Sequence, residues 1–224
     1  MVGRIKNWTS AVIIVIAVVV LGIMAPAKIS LCDSPNAEKI LTADWWQWAI
    51  SIPKSVNPVA SDTTGKLAMV GQHGQVWFLA GSFSTDSIVR NCIISEDHSI
   101  FFPIINSLCS VFFGDGTNEE ELRTCAKNST DLVTVHEASL DGKKLKVFRR
   151  QSPLFMVSLP PAPDNIVGSD LEPNPSASIS DGYWAFIKHL SIGDHIITMH
   201  GKTDTFEQNI TYHVKVVPAG FAGE

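Results

Sequence analysis

A mainly β domain is the fold this sequence predicts: a two-sheet β-sandwich, immunoglobulin-like or jelly-roll in style, with one Trp-rich helix ahead of it. Three observations carry that expectation. Beyond Gly65, short apolar runs recur between clusters of Gly, Ser, Asp and Asn. Asp141-Gly142 falls between two such runs, the strongest hairpin signal in the chain. From Asn209 to Val217, apolar Ile210, Tyr212, Val214 and Val216 alternate with polar Thr211, His213 and Lys215, which is the period of a half-buried strand.

The chain begins with a targeting pattern. Arg4 and Lys6 precede an uncharged stretch from Asn7 to Ala27, most of it Ala, Val, Ile and Leu. Ala25-Pro26-Ala27 places small residues where signal peptidase reads them, so residues 1–27 are expected to be a signal peptide cleaved before Lys28, or a membrane anchor if retained. Either outcome exports the remainder, to be secreted or held on the outer side of the cytoplasmic membrane. Residues 28–65 read as a helical arm, 66–218 as a single sandwich domain, and 219–224 as a tail. In the arm, Ala37, Ile40, Leu41, Trp45, Trp48, Ala49 and Ile52 recur at helical spacing. That places Trp46 and Gln47 on the other side and predicts Trp46 exposed.

Strands are expected at 67–70, 76–80, 87–94, 100–105, 132–140, 144–148, 182–190, 195–200 and 209–217. Six of the twelve prolines fall between Pro153 and Pro175, which predicts a long irregular loop or linker over 153–175.

Charge excludes one class of partner. The net charge is −5, and losing Arg4 and Lys6 would deepen it, so nucleic acid is not expected. Lys143, Lys144, Lys146, Arg149 and Arg150 form the one basic cluster, with the alternation of an exposed strand face. Four cysteines in an exported chain predict disulfides. Cys109 with Cys125 is favoured because the segment between them is mostly polar and easily closed, which leaves Cys32 with Cys92. Sequons at Asn128 and Asn209 would face the outside as glycosylation sites.

Chemistry is sparsely signposted. His195 and His200 lie five apart on an expected strand and point to opposite faces, and His213 lies on a solvent side, so no metal site is predicted. Glu96-Asp97-His98 reads as a solvated turn. Gly81-Ser82 lacks the second glycine and the helix of a nucleophile elbow, and without a P-loop or dinucleotide fingerprint no cofactor is expected. Five tryptophans follow the leader: Trp45, Trp46, Trp48, Trp77 and Trp184. Flat aromatic faces stack on sugars and anchor protein interfaces, so the candidate binding residues are Trp46, Trp184, its neighbour Tyr183, and Asp181.

Trp45-Trp46-Gln47-Trp48, Val76-Trp77-Phe78-Leu79-Ala80-Gly81, Phe101-Phe102-Pro103-Ile104-Ile105-Asn106 and Asp181-Gly182-Tyr183-Trp184 together resemble an uncharacterised exported microbial family. The resemblance implies a secreted or surface location and brings no activity. It also implies a cysteine where this chain has Ala68, which would leave Cys92 without that partner. Three functions are compatible with these features: an extracellular binding module for a glycan or envelope protein, a secreted glycan hydrolase whose Glu96, Asp97 and Asp181 converge in a cleft, and a membrane-tethered accessory subunit.

Overall fold

The computed structural model describes residues 34–220; the leader and Cys32 lie outside them. Among the described residues, ten strands and two α-helices make a mainly β sandwich of two mixed sheets. In one sheet the order is β1 (Val76–Phe78), β3 (Ser99–Ser110), β8 (Ser176–Ile187) and β6 (Val147–Gln151), with β7 (Phe155–Val157) also paired to β8. In the other it is β2 (Ser87–Ser95), β10 (Glu207–Val217), β9 (Gly193–Lys202), β4 (Val135–Leu140) and β5 (Lys143–Lys144). Two pairings are parallel, β1 with β3 and β2 with β10. The first arises because β2 crosses to the second sheet between β1 and β3.

The first sheet is a middle layer. Ile100, Phe102 and Ile104 of β3 face the second sheet, in one core with Ile197, Met199, Ile210, Tyr212 and Val214. Phe101 of β3 and Trp184 of β8 face the other way, into an aromatic core with helix α1 (Pro35–Ser51). Burial on both faces explains why β3 is a near-continuous apolar run, whereas β10, with its second face in solvent, alternates as expected.

Ser34 caps α1, its hydroxyl accepting from the Ala37 N–H at 3.2 Å, and Pro35 opens the first turn. The helix is covered on more sides than its spacing suggests. Val59 from one loop and Leu159, Ile166 and Leu171 from the Pro-rich loop join the aromatic cluster around it. Asn57 Nδ2 donates to the Ala49 and Ile52 carbonyls at the end of α1, and Asp164 accepts from both the N–H and the hydroxyl of Ser55. The segment 153–175 is therefore packed structure over the helix.

Other expectations need correction. Residues 67–70 form turns, not a strand. Asp62 dictates this: its carboxylate accepts from the N–H groups of Thr64, Gly65 and Leu67 at 2.8–2.9 Å. Gly65, at φ +91°, lies so close to Asn91 that a Cβ would sit 2.1 Å from its carbonyl oxygen. The basic cluster is not one strand face either, because Lys143 and Lys144 belong to β5 and Arg149 and Arg150 to β6, in different sheets. The Asp141-Gly142 turn does join β4 to β5, both residues having positive φ.

Helix α2 (Glu119–Asp131) packs Leu122 and Ala126 against Cys109 and Ile179. The Cys109–Cys125 disulfide pins it to β3. Closing a loop of 16 residues contributes about 3 kcal/mol on the chain-entropy account. Reduction and alkylation should lower the urea-unfolding free energy by that amount; a change within error would show that the bridge adds nothing to the packing of α2.

Candidate ligand cavity

A β-bulge shapes one edge of the sandwich. The β3–β8 register slips between Pro103 and Ile105, and the Ile104 carbonyl released there accepts from Gln208 Nε2 of β10. Two glycines make room for the close approach. A Cβ on Gly201 of β9 would lie 2.4 Å from the Ile104 oxygen, and one on Gly182 of β8 would lie 2.5 Å from Asn106 Cβ.

The segment leaving β1 is fixed from beneath by Arg90, only 1% exposed. Its Nη1 donates to the Ala80 and Gly81 carbonyls at 2.6 and 3.0 Å and to Tyr212 Oη at 2.8 Å, while Nε donates to the Asp62 carbonyl at 2.8 Å. The Tyr212 hydroxyl in turn donates to the Ala80 carbonyl and accepts from the Ala80 N–H. Gln208 Oε1 then accepts from the Ser82 N–H at 3.1 Å.

These elements enclose a cavity of about 220 Å³. Trp45, Trp46 and Val59 wall it on the helix side, Ile105 and Asn106 on the β3 side, and Gly81–Phe83, Phe206 and Gln208 complete it. Phe83 is 53% exposed, so the cavity opens to solvent beside it. Trp46 is 7% exposed, and its Nε1 has no hydrogen-bond partner among the described residues; nor has Asn106 Nδ2. An unmatched buried donor costs about 1–3 kcal/mol. Trp45, by contrast, donates to the Leu79 carbonyl at 3.0 Å.

The expected exposed aromatic platform does not form. All five tryptophans are buried. Trp184 is fully enclosed, stacked on Phe101 at 5.0 Å and edge-on to Trp45 at 5.8 Å. Tyr183 points to the opposite side and stacks on His136 at 3.9 Å. Of the predicted residues, the structure brings only Trp46 to the cavity. Asp181 is buried in an ion pair: Arg149 Nη2 meets Asp181 Oδ2 at 2.7 Å, while Nη1 meets Asp131 at 2.7 Å. Hydrogen bonding to Asp181 raises the guanidinium pKa further above its ordinary range, so Arg149 stays charged.

The predicted carboxylates are dispersed. Glu96 and Asp97 occupy the β2–β3 turn, whereas Asp181 lies opposite Ser107, eight residues along β3 from Ser99, roughly 26 Å at the rise of a strand. The Glu96 carboxylate accepts from the Ala219 N–H, and Asp97 pairs with His98 at 3.2 Å. The histidines separate as well: His195 pairs with Asp141 and His200 with Glu207, each at 2.8 Å, and His213 is exposed. Cys109, Asp115 and Cys125 lie within ligand distance of one another, but both sulfurs are spent in the disulfide.

One arrangement mimics a catalytic triad. His195 Nδ1 lies 2.8 Å from Asp141 Oδ2 and its Nε2 lies 3.3 Å from Ser191 Oγ. Nε2 is closer, at 2.9 Å, to the Ser191 carbonyl, which can only accept, so both ring nitrogens carry hydrogens. The hydrogen bond to Asp141, supported by the one to Ser191, raises the imidazole pKa. A doubly donating imidazolium cannot take a proton from Ser191. Ser191 should therefore remain unlabelled by a fluorophosphonate at pH 7, as read by intact mass; stoichiometric labelling would reverse this assignment. The ion pair stabilises the fold fully below the ordinary histidine pKa and loses that contribution as pH rises through the raised one.

Among the described residues Cys92 has no disulfide partner, its expected pairing with Cys32 lying outside them; it is 8% exposed, in the core shared with Ala68. Burial pushes its pKa up to about 12, so it should resist iodoacetamide at pH 8 until the chain unfolds; rapid labelling of the native protein would contradict that. Asn128 is exposed on α2, and Asn209 lies half-buried on β10.

Asn106, Ser82, Phe206 and Gln208 were not singled out as binding residues from the sequence. The one available signal was Asn106 itself, a carboxamide ending the apolar run of β3. Comparison with protein-family models, curated proteins and solved structures finds no match.

Proposed function

We propose that this chain is an exported β-sandwich binding module that takes a small ligand in the cavity between Trp46 and Asn106. The observation that carries the reading is a pair of buried, unpartnered donors, Trp46 Nε1 and Asn106 Nδ2, on two residues that line one cavity. Trp45 Nε1 and Gln208 Nε2, on the same cavity wall, find backbone carbonyls, whereas Trp46 Nε1 and Asn106 Nδ2 are left unmatched where a ligand can complete them. The leader expected at residues 1–27 supports a site outside the cytoplasmic membrane, secreted or tethered.

The test is a thermal-shift screen of the full protein, isolated from its host, against sugars, amino acids, organic acids and short acyl chains. A true ligand at a hundred times its Kd adds about 2.7 kcal/mol, which raises Tm by about 5–10 °C in a domain of this size. The shift should vanish in Asn106→Leu. If no compound stabilises the wild type more than this variant, the cavity is not a ligand site.

A further inference from the structure

We infer that the occupant of this cavity is a neutral sugar, a single pyranose residue held through its hydroxyl oxygens; the inference rests on the reading of the cavity as the binding site. Size comes first. A volume of about 220 Å³ falls below the range of roughly 300–1,000 Å³ that takes drug-sized ligands and equals the liquid volume of about seven waters at roughly 30 Å³ each. That suits one six-membered ring and its substituents.

Charge comes next. Among the described residues, no Lys, Arg, His, Asp or Glu side chain lines the cavity, so a carboxylate, phosphate or ammonium group would lose its hydration without a counter-charge. A hydrocarbon fails for the opposite reason, because it leaves the Trp46 and Asn106 donors as unmatched as before.

A pyranose meets both conditions. Its hydroxyl and ring oxygens accept from the indole N–H, which only donates, and from the Asn106 carboxamide, which donates and accepts and so matches a hydroxyl in either sense. Its C–H faces suit the aromatic walls supplied by Trp45, Trp46, Phe83 and Phe206.

Calorimetric titration and tryptophan fluorescence on the full protein test this with four probe sets: methyl glycosides of neutral hexoses and N-acetylhexosamines, oligosaccharides ending in the same sugars, glucuronate with inorganic phosphate, and cyclohexanol. Saturable binding of at least one neutral glycoside is expected, weakened at least tenfold by Asn106→Leu and by Trp46→Phe alike. Equal affinity for the matching oligosaccharide identifies a free sugar, and tighter binding of it identifies a glycan end; both support the assignment. Binding confined to the anions or to cyclohexanol, and lost in the same variants, overturns the sugar while leaving the cavity as the site. Sugar binding that both variants leave unchanged overturns the assignment of this cavity.

Discussion

Replacing Arg90 with leucine is expected to destabilise the domain by about 3–5 kcal/mol, the cost of removing one partner from a buried charged network. The guanidinium makes four hydrogen bonds of 2.6–3.0 Å, to the carbonyls of Asp62, Ala80 and Gly81 and to the Tyr212 hydroxyl. Leucine fills part of the space but takes the guanidinium donor from all four acceptors, leaving the Ala80 carbonyl only the Tyr212 hydroxyl. Asp62 adds a second link, because its carboxylate shapes the 62–67 turn while its carbonyl holds Arg90 Nε. Burial would raise the Asp62 pKa, but the N–H groups of Thr64, Leu67 and Gly65, with Arg90 nearby, outweigh it and hold it low. That contribution is present above the ordinary aspartate pKa and is lost as pH falls through the lowered one.

Tyr212→Phe should cost less than Arg90→Leu, about 1–2 kcal/mol, because leucine removes the donor to the Tyr212 hydroxyl while phenylalanine removes a single group. The two losses should not add in the double variant. Urea denaturation of the three variants measures this, and a loss below 1 kcal/mol for Arg90→Leu would contradict the network. Burial pushes the Tyr212 hydroxyl up to about 12, so its share of stability is complete below the ordinary tyrosine pKa and fades as pH rises toward 12. Cys92 acts in the same direction.

The second large effect has the opposite sign. Changing Trp46 to phenylalanine and Asn106 to leucine together removes both unmatched donors while keeping the apolar bulk of each side chain. Ligand binding should fall at least a hundredfold, the product of two tenfold losses. Stability without ligand should hold or rise by about 1–2 kcal/mol, because a buried donor without a partner is a cost that the substitutions remove. A residue present only for packing behaves otherwise: its truncation lowers stability, and binding follows through partial unfolding. Measuring unfolding free energy and affinity on the same samples separates the two. A double variant that binds normally, or one that loses 3 kcal/mol or more, contradicts the assignment of these residues to a ligand.

The layers of the fold explain what was legible. β10 declared itself because one face packs on the core and the other meets solvent, so its alternation carries the burial pattern directly. β3 was visible as an apolar run, but its burial on both faces, against the second sheet and against α1, is a property of the layer order. Residues 67–70 looked like a strand because four mostly apolar residues have no reliable period; the hydrogen bonds of Asp62 and the left-handed Gly65 made them turns.

The candidate site was legible in one residue only. Helical spacing assigned Trp46 to a free face because it counts a single packing partner, and it does not register the loops that close over α1 through Val59 and Leu159. Asp181 looked available because its partner, Arg149, lies 32 residues earlier and arrives only through the register of β6 on β8. Asn106 was visible as a polar residue in an apolar strand, but its missing partner is a fact of three dimensions. The Ser191–His195–Asp141 contact likewise needs the β4–β5 turn to reach β9, and the nearer Ser191 carbonyl decides its meaning.

The most direct measurement is a crystal structure of the protein purified from its host without added sugar, at a resolution that shows ordered solvent and small ligands. Density for a single ring is expected in the cavity, with oxygen atoms within about 3.2 Å of both Trp46 Nε1 and Asn106 Nδ2. A cavity closed by repacking, with the two donors paired to protein carbonyls, would contradict it.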